Sequence, residues 1–464
     1  LKYNFLSINL ISLRILYSFN LVRGSLIMKI IVIGGGPAGR LAAIEASQIG
    51  VEITLIEKEY LGGKCLNHGC MVTSALNDVA RFIKDSQKFN ELNITPEIDG
   101  INFQNLSKGI KEIISKIRSV EEAETKDAGV EILKGTAKII DPKRKQAIVD
   151  NETYDFDKLI MATGSRAYIP PIKGSENAKT HRDILEYKEI PEKLIIVGSG
   201  VIAAEFAGVF SALGSQVHVL CRNSFLGVLE DEVKNYVTKK LLEKVEIHEN
   251  HKVNEINRKG LTSDTGFMYG DVLLATGMTP NSEILNGIVD VGDKGEVIVN
   301  QRMETSAKDI YAAGDLIGGI GTTPVARMEG VVAARNACGI ITEADYRFIP
   351  NSISLYHDVT FLNQESPYVK DEKVIEGSIP GFAGPGAFWR VLDRNTGFTK
   401  VKVDSESGEI RDVSSISPSA RTSMAYISKM MRDNYKTYDF DDFMETHPST
   451  DPIYKLMRIF SKFG

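Results

Sequence analysis

Cysteine is scarce in this chain: four residues in 464, too few for the dense disulfide framework that holds small secreted domains together. An excess of basic charge is also missing. Fifty-five Lys and Arg against 61 Asp and Glu leave a net charge of -6, which argues against a nucleic-acid-binding face. Beyond residue 27, no apolar run approaches the roughly 20 residues that a membrane-spanning helix needs. Low-complexity segments are absent, and the only internal duplication is a glycine-rich unit described below. What remains is a globular composition, 43% hydrophobic and 25% charged, in a chain long enough for roughly two to four domains.

The first 27 residues are apolar but interrupted by Asn4, Asn9, Arg14 and Asn20. They lack the compact apolar core and small-residue cleavage site of a signal peptide. Met28 leads directly into a strand-like run. Residues 1–27 are therefore expected to lie upstream of the functional start, with a membrane or targeting anchor as the alternative. A cytoplasmic location is expected for the remainder.

Lys29–Gly34 reads as a buried strand, followed by the turn Gly34-Gly35-Gly36-Pro37-Ala38-Gly39, an alanine-rich helix over Arg40–Ile49, and a second strand over Val51–Ile56 that ends at Glu57. Gly34 permits the tight turn, Gly36 lets backbone amides approach a pyrophosphate, and Gly39 lets helix and strand pack closely. The positive end of the helix faces the phosphates, and Glu57 is placed to bind a ribose hydroxyl. Lys58 and Gly63 extend this candidate site. The pattern recurs at Lys193–Leu213, with the turn Gly198-Ser199-Gly200-Val201-Ile202-Ala203 and a strand at Gln216–Leu220. Here Ala203 stands for the third glycine. Cys221 and Arg222 stand where an acid would read the ribose. A guanidinium at that place pairs with a 2′-phosphate, which tilts the expectation to NADPH over NADH; the plainer reading of Arg222 is a solvated loop residue.

Ile110–Thr125 reads as an amphipathic helix, and Val130–Val149 as short strands of an antiparallel meander. After about residue 348 the pattern changes to strands, including Ala387–Leu392 and Phe398–Val403, separated by turns at Asp393–Gly397 and Ser405–Gly408. Helices are expected at Ser423–Met431 and Pro452–Phe463. This part is read as a separate α+β domain.

Only two cysteines are close in sequence, Cys65 and Cys70, in Gly63-Lys64-Cys65-Leu66-Asn67-His68-Gly69-Cys70. They follow the first strand–turn–helix–strand unit. The four intervening residues suit a loop and first turn leading into a helix, whose positive end stabilises a thiolate. The alternatives are a pair of buried structural cysteines or half of a zinc site. A zinc site needs two further ligands, and no second close Cys/His pair is present.

These motifs together resemble the pyridine nucleotide–disulfide oxidoreductases, most closely dihydrolipoamide dehydrogenase, from Met28 to the C-terminus. Ala162-Thr163-Gly164, Ala275-Thr276-Gly277, the run Thr305–Asp315, Glu329-Gly330, expected to open the following helix, and His447-Pro448 follow in the family's order. The resemblance implies an α/β architecture with two Rossmann-like dinucleotide-binding domains and a C-terminal α+β dimerisation domain. It divides the chain into FAD-binding segments at 28–172 and 282–347, an NAD(P)-binding domain at 173–281, and an interface domain at 348–464. It further implies FAD and NAD(P)H as cofactors, a homodimer, and a small disulfide or dithiol as substrate. Asp315 would bind the ribityl chain, with Thr163, Gly164 and Gly277 at cofactor-binding strand ends. Cys70 would face the flavin, Cys65 would exchange with substrate, and His447 of the partner subunit would serve as acid–base.

The sequence departs from the family at several of these positions. Ser74 stands where a lysine is usual near the flavin, leaving Glu205 without its customary ion-pair partner. Lys64 replaces a threonine beside the first cysteine, and Met278 an arginine. Pro452 takes the place of the glutamate that orients the histidine; Asp451 precedes it. The expected substrate is therefore not ordinary dihydrolipoamide. Two other functions are weighed: electron transfer from the flavin to quinones or oxygen, and a flavin-binding subunit without turnover. The C-terminal Ser461-Lys462-Phe463-Gly464 lacks the cysteine pair of mercuric reductase and of the large thioredoxin reductases.

Overall fold

A computed structural model describes residues 28–98, 100–141, 143–363, 373–450 and 452–462. The expected extension at 1–27 and Asp451 lie outside the described residues. The chain opens with β1 (Lys29–Ile33), α1 (Pro37–Ile49), β2 (Glu52–Glu57), α2 (Gly63–Asn67), α3 (Cys70–Glu91) and α4 (Phe103–Asp127). It continues through β3 (Glu131–Lys134), β4 (Ala137–Asp141), β5 (Gln146–Val149), β6 (Glu152–Asp155), β7 (Lys158–Met161) and β8 (Ser165–Ala167). The second unit holds β9 (Lys193–Val197), α5 (Val201–Ala212), β10 (Gln216–Leu220), α6 (Asp231–Tyr236), β11 (Glu246–His248) and a hairpin pair, β12 (Val253–Asn257), β13 (Gly260–Ser263) and β14 (Gly266–Tyr269). It closes with β15 (Asp271–Leu274) and β16 (Met278–Pro280). Then come β17 (Ile310–Ala312), α7 (Thr323–Ala337), β18 (Ile349–Ser354), β19 (Asp358–Asn363), β20 (Val374–Pro380), β21 (Phe398–Asp404), β22 (Ile410–Ser417), α8 (Ala420–Arg432) and α9 (Ile453–Phe460).

Two parallel sheets carry the expected α/β architecture. The first runs β17-β7-β1-β2-β3 and the second β11-β10-β9-β15. Their strands are near-continuous apolar runs because helices and loops cover both faces; Ile30–Ile33 and Leu194–Val197 are buried. In each sheet the first strand, β1 or β9, lies centrally, and the chain departs to one side before returning on the other. That reversal opens a crevice at the strands' carboxyl ends. A mixed α+β unit follows, built on the antiparallel sheet β18-β19-β22-β21-β20 with α8 and α9 packed on it.

Close packing fixes how the first sheet meets its helices. A Cβ on Gly39 would stand 1.9 Å from the Gly34 carbonyl oxygen, and one on Gly330 would stand 2.1 Å from that of Ala38. Helices α1 and α7 therefore touch through backbone, with Ala42, Ala43 and Ala46 fully buried between layers.

Four expectations are corrected. Glu329-Gly330 does not open a helix but lies in the middle of α7, because the helix begins earlier at Thr323-Pro324, a proline-tolerant first turn. The strand Glu131–Lys134 pairs in parallel with β2 and so extends the first sheet, while the meander is β4-β5-β6. The helix placed at Ile110–Thr125 begins at Phe103, capped by the Asn102 side chain accepting from the Asn105 amide at 2.9 Å. The strand expected at Ala387–Leu392 is a 3₁₀ turn over Phe388–Val391. There Arg390 is drawn inward, donating to Tyr356 Oη (2.7 Å), the Lys84 carbonyl (2.8 Å) and Asp85 Oδ1 (3.0 Å). That anchor coils the segment and leaves Phe388 and Leu392 exposed.

Candidate active site

A single cleft of about 2230 Å³ joins the two parallel sheets. Most of the residues singled out in the sequence line it: Gly34, Gly36, Glu57, Lys58, Gly63, Cys65, Cys70, Thr163, Gly164, Asp315, Gly198, Gly200, Glu205, Arg222 and Gly277. Gly39 and Ala203 do not; both are packed beneath it, as close helix–strand packing requires. His447 is exposed and away from this cleft.

The two glycine turns have matching geometry. Gly36 and Gly200 cap α1 and α5 with extended backbone, φ -73° and -95°. Gly34 turns at φ +107° and Gly198 at +149°, where an added Cβ would strike the backbone of Ala162 or Ala275, just past the neighbouring strand β7 or β15. A Cβ on Gly200 would meet nothing within 4 Å, and one on Gly36 only Gly63 Cα at 3.9 Å. Each turn thus leaves open space at a helix N-terminus, which suits an anionic group and which a side chain would obstruct. Glu57 is held by the amides of Gly35 (2.6 Å) and Glu59 (2.7 Å), which fixes its carboxylate at the cleft wall. Exposed Arg222 lines the cleft beyond β10.

The cysteines sit on two successive helices. Cys65 is in α2, and Cys70 is the first residue of α3, after Gly69. The N-terminus of α3 favours an anion at Cys70, an effect outweighed there by the hydrogen bond to Cys65 and by burial. Thr323, at the start of α7, donates from Oγ1 to Cys65 Sγ at 3.1 Å and lies 3.9 Å from Cys70 Sγ. The pair titrates as a unit. The hydrogen bond from Cys70, with that of Thr323 and the charge of Arg327, lowers Cys65 to about 6 against the opposing effect of burial. The same hydrogen bond, together with burial and the neighbouring thiolate, pushes Cys70 up. Near neutral pH the reduced pair thus carries one negative charge and one proton, with the charge favoured on Cys65.

Lys64 closes one side. Its Nζ lies 2.6 Å from Asp315 Oδ2 and 2.8 Å from Ser165 Oγ, and Ser165 also donates to Asp315 Oδ2 at 2.7 Å. The carboxylate expected at the ribityl chain is therefore engaged by the residue next to Cys65.

Glu205 and Ser74 both line the cleft. Glu205 Oε1 accepts from the Ser354 amide at 2.8 Å. Burial raises its carboxyl to about 7, a rise that this backbone bond and the Arg421 charge only partly offset. Arg421 donates to Ser354 Oγ at 2.5 Å and pairs with Asp358 at 3.2 Å, and Asp358 also pairs with Arg81 at 2.7 Å. Positive charge thus reaches this wall from the C-terminal unit.

Thr323, Ser165, Ser354 and Arg421 were not singled out in the sequence; each is brought in by tertiary contact. Cleft residues His68 and His181 were not singled out either. Desolvation lowers both, His181 to about 4, so the latter is neutral near pH 7. Among the described residues, no helix is long and apolar enough to cross a membrane.

Comparison with known proteins accords with this arrangement. Residues 28–330 match the family model described as pyridine nucleotide-disulphide oxidoreductase. An uncharacterized protein of Methanocaldococcus jannaschii is 31% identical over 442 residues, covering 94% of this chain and 98% of that protein. A dihydrolipoyl dehydrogenase of Bacillus subtilis is 28% identical over 448 residues, covering 91% and 94%. Among solved structures, LpdA from Mycobacterium tuberculosis aligns with a TM-score of 0.83 at 21% identity, covering 93% of this chain and 99% of that one. A Cu(II) complex of the HOCl-induced flavoprotein disulfide reductase RclA from Escherichia coli aligns with a TM-score of 0.79 at 22% identity, covering 93% and 98%.

Proposed function

This chain belongs to the pyridine nucleotide-disulphide oxidoreductase family, and on that premise we propose that it is an FAD-dependent NAD(P)H:disulfide oxidoreductase, similar to dihydrolipoamide dehydrogenase, whose Cys65–Cys70 pair exchanges electrons with a small disulfide or dithiol. The observation that carries this reading is the convergence of Cys65, Cys70 and Thr323 in one cleft with both glycine turns. FAD, when bound, supplies the two-electron link between nicotinamide and the cysteine pair. Gly34, Gly36 and Glu57 would hold its diphosphate and ribose, with Thr163, Gly164 and Asp315 further along. Gly198, Gly200 and Gly277 would receive the nicotinamide cofactor, and Arg222 supports a preference for NADPH.

In the reductive direction, the Cys65 thiolate attacks one sulfur of the substrate disulfide. A mixed disulfide forms and the other substrate sulfur leaves as a thiolate, protonated by the partner subunit's His447. Cys70, once deprotonated, attacks Cys65 Sγ; the Cys65–Cys70 disulfide forms and the second substrate thiol departs. A low-pKa Cys65 suits it to the first of these steps. The exposure of His447, away from its own chain's cleft, supports a homodimer in which it serves the other subunit. Exposed Phe388, Leu392 and Tyr426 of the C-terminal unit provide apolar surface for such an interface.

The changes at Lys64, Ser74 and Pro452 alter the surroundings of the thiols, so we further propose a substrate other than dihydrolipoamide. An anaerobic screen of NADH and NADPH against a panel of disulfides tests both parts. Expected are a disulfide turned over by wild type and not by Cys65→Ser, and a lower KM for NADPH than for NADH. Robust NAD-linked lipoamide turnover, abolished by His447→Gln, would contradict the substrate assignment. Unchanged turnover in Cys65→Ser would contradict the dithiol mechanism in favour of direct transfer to quinones or oxygen.

A further inference from the structure

A second cluster of chemically capable side chains lies on the edge of the second parallel sheet, outside the redox cleft. Strands β10 and β11 pair in parallel with His218 opposite Glu246 and Leu220 opposite His248. Side chains two residues apart on a strand share a face, so His218, Glu246 and His248 project together. His218 Nδ1 lies 3.2 Å from His248 Nε2 and 3.4 Å from Glu246 Oε2. All three ligand atoms fall within 4.8 Å of one another.

We propose that His218, Glu246 and His248 form a binding site for a divalent transition-metal ion of the zinc class. Zinc holds imidazole nitrogens at about 2.0–2.1 Å and carboxylate oxygens at about 2.0–2.2 Å in tetrahedral geometry. Two donors at such lengths and a tetrahedral angle stand about 3.3 Å apart, the spacing found between His218 and each of the other two residues. Two imidazoles and one carboxylate are a zinc donor set with a fourth position left for water. Calcium and magnesium, which take oxygen ligands, are disfavoured by it.

Two further features orient the donors. Glu246 Oε1 accepts from Gln216 Nε2 at 3.3 Å, which leaves Oε2 directed at His218. His218 is itself only 6% exposed, and among the described residues its buried Nε2 has no hydrogen-bond partner. Its polar contacts therefore lie on the Nδ1 side, where the cluster converges. The site also has a structural connection to the cofactor cleft. The His248 carbonyl accepts from the Cys221 amide at 2.9 Å, at the end of β10, one residue before Arg222. A metal joining β10 to β11 would brace the strand end that carries Arg222.

The competing arrangement is a hydrogen bond between the two imidazoles with Glu246 as counter-charge. Equilibrium dialysis of the FAD-loaded protein against ZnCl₂, with metal counted by mass spectrometry, distinguishes them. The variants are Glu246→Gln, at an exposed position, and His248→Gln, at a half-buried one; neither lies in the redox cleft, and both keep all four cysteines, so thiol-bound zinc cancels in the difference. Expected is one additional zinc per chain in wild type, with affinity for it reduced about tenfold or more in each variant, since even outer-shell partners are worth about 10–100-fold. Zinc should also raise the Tm of wild type more than that of the variants. Equal zinc uptake in wild type and either variant would overturn the proposal, as would a stability difference between them that does not depend on zinc.

Discussion

Lys64 Nζ lies 2.6 Å from Asp315 Oδ2, so the residue before the first cysteine is ion-paired to the carboxylate that terminates a motif 251 residues later in the chain. Both side chains are partly buried, and such a pair is worth about 1 kcal/mol. Lys64→Thr removes the competing cation from Asp315. FAD affinity is expected to tighten about fivefold, measured by flavin fluorescence titration of apoprotein. Weaker binding in the variant would mean that the ammonium itself contacts the cofactor.

The reduced cysteine pair should be reactive at unusually low pH. Thiolate persists above its pKa, so alkylation of Cys65 by iodoacetamide is expected to fall off only as pH drops through about 6. Thr323→Val removes a donor to Cys65 Sγ and should move that midpoint upward. A wild-type midpoint near the ordinary cysteine value of 9.0 would contradict the arrangement.

Burial of Glu205, which has no ion-pair partner among the described residues, has a stability signature. Its folded-state pKa is raised from 4.5 to about 7. Its proton-linked stability is therefore fully present below the unfolded value and is lost as pH rises through about 7. Glu205→Gln keeps an oxygen for the Ser354 amide and carries no charge. It should match wild type near pH 4.5 and exceed it at pH 8 by up to about 3 kcal/mol, read from denaturant unfolding at the two pH values. A variant less stable than wild type at pH 8 would show that Arg421 effectively neutralises the carboxylate.

His447 is expected to act on substrate thiols and not on cofactor reduction. His447→Gln should lower disulfide turnover by about 100-fold or more, the usual scale for a general acid–base group. Bleaching of the bound flavin by NAD(P)H in rapid mixing should be unchanged. Equal losses in both half-reactions would assign His447 a structural role.

Much of the framework was legible because its signals are local. The two glycine turns, their flanking apolar strands and the acid at Glu57 are each determined within about thirty residues of sequence, and the structure has them in the expected elements. Cys70 at a helix start was legible for the same reason. Contacts between distant segments were not. Thr323 meets Cys65 across 258 positions and Lys64 meets Asp315 across 251, and no periodicity or turn signal reports such approaches. Lys64 stood out as a departure, but its partner was visible only in three dimensions. The strand expected at Ala387–Leu392 failed because an apolar run reads as a strand unless the inward pull of Arg390 on Asp85 and Tyr356 is known.

The proposed relay of electrons from flavin through Cys65 and Cys70 is tested most directly by anaerobic titration of the FAD-loaded protein with NAD(P)H, followed by absorbance, in wild type and in the Cys65→Ser, Cys70→Ser double variant. Expected is that wild type consumes one more equivalent of reductant per chain than the bound flavin accounts for, while the double variant consumes only the flavin's share. Equal consumption by the two proteins would contradict a redox-active Cys65–Cys70 pair.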